Sequence, residues 1–165
     1  MDWIYKDNIV DNLPMNTFGF TYLLTFNYFG KWRIEKPTPL VYKYKAVDIT
    51  KLIPMLYIGR KNSYSYTKKY LGKKELALQT DKRLKNYKTV ITESNWRKYN
   101  SSCKETKGKV LVSKEILNFY PDKINLTYGE VEEMIKRDVL RDTRYLNGNI
   151  GGVYFRNKIL WEIQS

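Results

Sequence analysis

Two short apolar runs carry the residues best suited to chemistry. Met55-Leu56-Tyr57-Ile58-Gly59-Arg60-Lys61 leads through a tyrosine and a glycine into two cations, and upstream Phe18-Gly19-Phe20-Thr21-Tyr22-Leu23-Leu24 carries a second tyrosine. As neighbouring strands, the two runs would bring two phenols and two cations together. A phenol can take or relay a proton, and cations can hold phosphate oxygens, so the combination suits phosphate chemistry.

Composition narrows the reagents. The sequence has no histidine and one cysteine, Cys103. That excludes a Ser-His-Asp triad, a Cys-His pair, a histidine-ligated zinc site, a cysteine metal site and an intrachain disulfide. An enzyme acting on phosphodiesters must then draw its base from Tyr, Lys, a carboxylate or a metal-bound hydroxide. The net charge is +13, from 30 Lys+Arg against 17 Asp+Glu. Such an excess points to a polyanionic partner, nucleic acid first and an anionic membrane surface second. No apolar run approaches the roughly 20 residues that cross a bilayer. Met1-Asp2-Trp3-Ile4-Tyr5 lacks the cationic start and long apolar stretch of a signal peptide. The lone cysteine fits a reducing, cytoplasmic setting.

A chain of 165 residues reads as one domain, 1–165. Residues 1–17 read as an irregular lead-in, with Asn, Asp and Pro14 as turn formers. Phe18 to Phe26 reads as a buried strand, aromatic and β-branched with little charge. Leu52 to Gly59 reads as its partner, where Gly59 ends the strand or admits close backbone approach. Residues 27–54 form an insertion between them, with Leu40 to Val47 as an edge strand whose lysines face outward. Val110 to Val112 and Glu115 to Phe119 are strand-like. A short helix is expected around 93–103 and a longer one over 127–142. There Thr127 and Glu130 make a capping-box pattern, and Val131, Ile135 and Val139 follow at helical spacing. Residues 153–165 form a C-terminal extension with a closing strand or hairpin.

Residues 60 to 99 are strongly basic. Lysines and arginines are interleaved there with Tyr64, Tyr66, Tyr70, Tyr87, Trp96 and Tyr99. Cations among flat rings suit a phosphate backbone and exposed bases. The candidate nucleic-acid contacts are Lys68, Lys69, Lys73, Lys74, Arg83, Trp96, Arg97 and Lys98, with Ser101 and Ser102 in the polar turn that follows. The alternative is a solvated basic face with its tyrosines in the core.

The chain resembles the GIY-YIG endonucleases, most closely a phage-type branch. Gly19-Phe20-Thr21-Tyr22-Leu23-Leu24 looks like the first motif, and Tyr57-Ile58-Gly59-Arg60-Lys61 matches the second as that branch writes it. Glu93 to Ser102 is similar to the branch's acidic–Trp–basic–Tyr–Gly–Ser–Ser segment. Tyr128-Gly129-Glu130 with Arg137-Asp138-Val139-Leu140 looks like its metal-binding helix. Tyr145-Leu146-Asn147, followed by Gly151-Gly152, resembles its closing asparagine turn. Three features depart from the pattern. The segment between the first two motifs is far longer than the family's short hairpin. The family's helical arginine has three candidates here, Arg60, Arg83 and Arg97. Asn100 stands where the branch has Gly.

The resemblance implies an α/β (α+β) fold: a small three-stranded antiparallel sheet flanked by helices, carrying the 27–54 insertion. It implies hydrolysis of phosphodiesters in DNA with one divalent ion, Mg2+ or Mn2+. By resemblance Tyr22 is the general base or a relay, and Tyr57 assists it or positions the water. Arg60 and Lys61 hold phosphate and are expected to lower the phenol pKa values. Glu130 is the implied metal ligand, with Glu132 and Glu133 as fallbacks, and Asn147 orders the site. DNA is the expected partner, with no membrane association, a monomer or homodimer, and the host cytoplasm if phage-encoded. The rival readings are a catalytically inactive nucleic-acid-binding protein on the same fold and a small basic RNA-binding protein whose tyrosines stack on bases.

Overall fold

The computed structural model describes residues 1–27, 54–81, 83 and 85–159. The expected edge strand at Leu40 to Val47, and all of the 27–54 insertion but its two end residues, lie outside the described residues.

The first apolar run becomes the middle of the main sheet. Strands β1 (Trp3–Tyr5), β2 (Asn8–Ile9), β3 (Gly19–Asn27), β4 (Met55–Asn62) and β7 (Val110–Tyr120) pair in the order β2-β1-β7-β3-β4. β3 lies between β7 and β4, so both of its edges are paired, and apolar clusters on both sides of the sheet bury its faces, which explains its near-continuous apolar sequence. β3 pairs antiparallel with both neighbours, whereas β1 runs parallel to β7. The sheet is therefore mixed and five-stranded, not the three-stranded antiparallel sheet expected. The lead-in over 1–17 supplies the extra strands. Trp3 draws β1 in: its ring is buried against Phe20 and Tyr22, and its indole N–H donates to the Trp96 carbonyl at 2.8 Å.

Beyond β4 the chain leaves this sheet. β5 (Tyr64–Tyr70) and β6 (Tyr87–Glu93) form a separate two-stranded ribbon, joined by a segment holding the short helix α1 (Lys73–Ala77). The expected helix around 93–103 is instead the end of β6 and a single 3₁₀ turn, Trp96–Lys98. The two strand-like pieces after it are one strand, β7.

The long helix α2 (Lys123–Lys136) starts one turn earlier than expected. Asp122 caps it, accepting from the Asn125 N–H at 2.8 Å. Thr127 is inside the helix and donates to the Lys123 carbonyl at 2.8 Å, so the Thr127–Glu130 pair is no capping box. Gly129 lets the helix approach the sheet, because a β-carbon there would stand 2.1 Å from the Tyr120 hydroxyl. After Lys136 the chain turns through 137–147 and ends its described part in a small hairpin, β8 (Asn149–Ile150) with β9 (Tyr154–Phe155).

The sheet separates two cores. One face carries Trp3, Phe20, Tyr22, Leu24, Phe26, Trp96 and Ile116. The face toward α2 carries Ile58, Met134, Val139, Leu140, Tyr145 and Ile150.

Candidate active site

The β3–β4 register decides where the tyrosines stand. Tyr22 pairs with Gly59, and Leu24 with Tyr57. Paired residues share a face, so Tyr22, Tyr57 and Lys61 lie on the side of the first core. The Tyr22 and Tyr57 rings are 6.3 Å apart. Gly59 makes that approach possible, since a β-carbon there would meet the Tyr22 hydroxyl at 2.5 Å and the Tyr57 ring at 2.9 Å. Of the two readings of Gly59, close approach holds; the strand continues to Asn62.

A third phenol completes the cluster. The Tyr99 ring meets Tyr22 edge-on at 6.0 Å, and the Lys61 ammonium sits 4.2 Å from its centre while donating to Asn95 Oδ1 at 2.7 Å. The turn carrying Tyr99 is pinned from below by Lys114. This buried lysine donates to the Arg97 and Tyr99 carbonyls at 3.0 and 3.2 Å and lies over the Trp3 ring. Burial pulls its pKa below the usual lysine value. Cys103 neighbours Tyr57, whose pKa it helps to raise, and donates its thiol to Glu105 at 2.7 Å. Neither Tyr99 nor Cys103 stood among the expected catalytic residues.

Arg60 and Glu130 occupy the other face. Alternation along β4 turns Arg60 toward α2, where its Nε lies 3.3 Å from Glu130 Oε2. The Glu130 side chain is 20% exposed. Burial raises its pKa, partly opposed by Arg60. Glu132 pairs instead with Lys136 at the surface, and Glu133 is buried against Arg137 and Asn118. Among the described residues no group of three or more His, Cys, Asp or Glu side chains could hold a metal ion. A single partly buried carboxylate is still a donor that magnesium accepts, because that ion keeps waters and takes phosphate oxygens.

The expected lowering of the phenol pKa values is not what the geometry gives. Burial is the largest influence on both and raises both; the neighbouring phenols raise Tyr22 further, Cys103 raises Tyr57, and the Glu130 carboxylate is near enough to add a smaller rise to each. Arg60 faces away from the phenols, and Lys61 reaches Asn95 and the Tyr99 ring instead of the Tyr22 and Tyr57 hydroxyls.

Asn147 is buried and acts as a piece of β-ladder. Its Oδ1 accepts from the Ile58 N–H at 3.0 Å, and its Nδ2 donates to the Ile58 carbonyl at 2.8 Å. Just before it, Leu56 N–H donates to the Arg144 carbonyl and Leu146 N–H to the Leu56 carbonyl. The 144–147 segment thus seals the outer edge of β4 beside the Tyr57–Arg60 stretch, with the Asn147 amide spending one donor and one acceptor on Ile58.

The candidate nucleic-acid contacts divide. Lys68 and Lys69 are exposed on β5, Lys73 and Lys74 on α1, and Arg83 in the segment beyond it. Trp96 is not a stacking platform: it is 1% exposed, with its indole N–H on Glu93 Oε1 at 2.6 Å. Arg97 covers its ring, pairs with Glu93 and bonds the Asp11 carbonyl and Asn12. Lys98 is exposed. Ser101, at φ +98, accepts from the Cys103 N–H, and Ser102 bonds the Tyr99 hydroxyl.

No helix among the described residues is long and apolar enough to cross a membrane. No curated protein and no solved structure gives a significant match to the chain. One family model does, described as "Putative endonuclease segE, GIY-YIG domain", over residues 34–150. That span holds β4 with Tyr57 to Lys61, the Trp96–Ser102 segment, Glu130 and Asn147, and it begins after β3. Because the match covers more than half of the chain, this protein belongs to the GIY-YIG endonuclease family.

Proposed function

We propose that this chain is a metal-dependent endonuclease of the phage-type branch that hydrolyses phosphodiester bonds in DNA. One observation carries the reading: Tyr22 and Tyr57 meet across Gly59, and the same strand delivers Arg60 to Glu130. In this reading Glu130 would hold a magnesium or manganese ion, and that ion would supply charge stabilisation to the phosphate and the leaving oxygen. Tyr22 takes or relays the proton of the attacking water, and Tyr57 orients that water. Arg60 and Lys61 bind phosphate oxygens, and Asn147 keeps β4 straight beneath them. Residues 1–165 act as one domain, in the cytoplasm of a host cell.

The test is incubation with supercoiled plasmid and magnesium, with and without chelator. Nicking or linearisation that the chelator abolishes supports the reading, and undiminished cutting in chelator defeats the single-metal part of it. A binding-only role draws on one observation, the raised pKa values of both phenols, which cut the phenolate fraction below that of a free tyrosine. Tight DNA binding with no cleavage under any divalent ion would favour that role.

A further inference from the structure

We infer that the β5–β6 ribbon is a base-reading arm that enters the major groove of duplex DNA. The inference rests on the DNA endonuclease reading above. The ribbon stands apart from the main sheet as a two-stranded unit, and every residue of β5 is exposed. A free two-stranded hairpin is marginal in water, so such an arm is stabilised by what it docks against. The major groove, about 12 Å wide, admits a two-stranded ribbon.

The two faces of the ribbon differ in chemistry. Register places Tyr64, Tyr66, Lys68 and Tyr70 on one face with Glu93, Ile91, Thr89 and Tyr87. This face is internally occupied: Tyr66 stacks on Phe18, Tyr70 meets Tyr87, and Lys68 covers the Tyr87 ring. The opposite face carries Ser65, Thr67, Lys69, Lys88, Val90 and Thr92. Its hydroxyls and ammonium groups match base-edge donors and acceptors, and its methyl groups suit the thymine methyl. Lys88 pairs with Glu75, but both are about half exposed, a pair of little worth that a phosphate can displace. Exposed cations at the far end, among them Lys73, Lys74 and Arg83, lie where flanking phosphates would run.

The arm is also rigidly tied to the catalytic strand. Ser63 alone separates β4 from β5, and it is buried. Its N–H donates to the Phe18 carbonyl at 2.8 Å, Ser94 N–H donates to the Ser63 carbonyl at 2.9 Å, and the Ser94 hydroxyl donates to the Asn62 carbonyl at 2.6 Å. Recognition and cutting therefore keep a fixed offset. From Arg60 to Thr67 the extended chain spans at most ~23 Å at about 3.3 Å per residue. At about 3.4 Å per base pair that is within ~7 base pairs of the cut.

The experiment sequences the cut ends from a plasmid library of random inserts. Parent protein is compared with Ser65→Ala/Thr67→Val/Thr92→Val, in which valine keeps the β-branched shape and only hydroxyls are lost. The parent is expected to show base preferences within ~7 base pairs of the cut. The triple variant should lose roughly tenfold of the preference at those positions. A melting curve checks its fold, and Thr67→Val alone stands in if the triple variant is unstable. An unchanged motif in a folded variant overturns the inference, as does a parent that cuts with no base preference. A parent that cuts no DNA overturns the endonuclease reading itself.

Discussion

The Tyr22 hydroxyl fills the space that a side chain at position 59 would need, 2.5 Å from where a β-carbon would stand. The glycine of the Tyr-Ile-Gly segment therefore serves packing between two strands, not a turn. Gly59→Ala must push back the Tyr22 ring, which is 1% exposed and hemmed in by Trp3, Phe20 and Tyr99. Overpacking of this kind costs about 1–3 kcal/mol. The expected outcome is a folded protein with lower melting temperature and at least tenfold slower cleavage. Parental cleavage by Gly59→Ala would show that the phenol spacing is unimportant.

Glu130→Gln separates stability from chemistry. Burial raises the Glu130 pKa despite Arg60. A carboxyl whose folded pKa is raised stabilises fully only below its unfolded value, about 4.3, and that contribution is lost as pH rises through the folded value. At neutral pH the ionised side chain is thus a net cost to the fold. Glu130→Gln should melt at or above the parent at pH 7, with the advantage vanishing near pH 4, and should bind DNA without cutting it. Thermal melts at both pH values, with a binding assay, check this. A variant that melts well below the parent at pH 7 would mark Glu130 as a structural partner of Arg60.

How much of this was legible in the sequence depended on how local the cause was. The β3–β4 pair follows from the two apolar runs, whereas its register, with Tyr22 opposite Gly59 and Leu24 opposite Tyr57, comes from the fold. β1 was not legible, because three residues carry little local signal and their pairing with β7 accompanies the burial of Trp3 against Trp96 and Phe20. The start of α2 was misplaced because Thr127 and Glu130 imitate a capping box, while Asp122 does the capping. Trp96 sits between Glu93 and two cations, a setting that reads equally as a stacking surface or a core anchor; only the fold decides. The pKa expectation failed for a simpler reason. Arg60 is near Tyr57 in sequence, but strand alternation sends it to the opposite face.

Asn147 gives the third prediction. Its amide satisfies both backbone groups of Ile58, which is 0% exposed. Asn147→Ala leaves a buried donor and a buried acceptor without partners, each worth about 1–3 kcal/mol. The variant should lose roughly 2–4 kcal/mol in denaturant unfolding. Asn147→Asp should not rescue it, because a carboxylate cannot donate to the Ile58 carbonyl. A small change in either variant would mean that the β4 edge does not depend on this side chain. A direct phosphate role would instead weaken DNA binding while leaving stability untouched.

The last prediction concerns the phenols. Tyr22→Phe and Tyr57→Phe keep the rings and remove one hydroxyl each. Loss of a positioned base or relay costs on the order of 10²–10⁴ in rate, whereas a lost hydroxyl hydrogen bond costs about 1 kcal/mol of stability. Both variants should therefore bind DNA and melt near the parent while cutting far more slowly, Tyr22→Phe the more severely. The raised pKa values add a pH signature. A phenol whose folded pKa exceeds its unfolded value of about 10 stabilises fully below pH 10, and that contribution is lost as pH rises further. The parent should lose stability above pH 10 with a slope of up to about 1.4 kcal/mol per pH unit from Tyr22 alone. Tyr22→Phe should lack that part of the slope. Cleavage by the parent should climb with pH through the neutral range with no plateau below pH 10, because the phenolate fraction is still growing there. Single-turnover rates against pH, set beside denaturant unfolding at pH 8 to 11, measure both effects. If both variants cut at the parental rate with the same pH profile, the phenols are core aromatics and the base lies elsewhere. If only the alkaline stability changes, Tyr22 is a buried acid with no part in the cut.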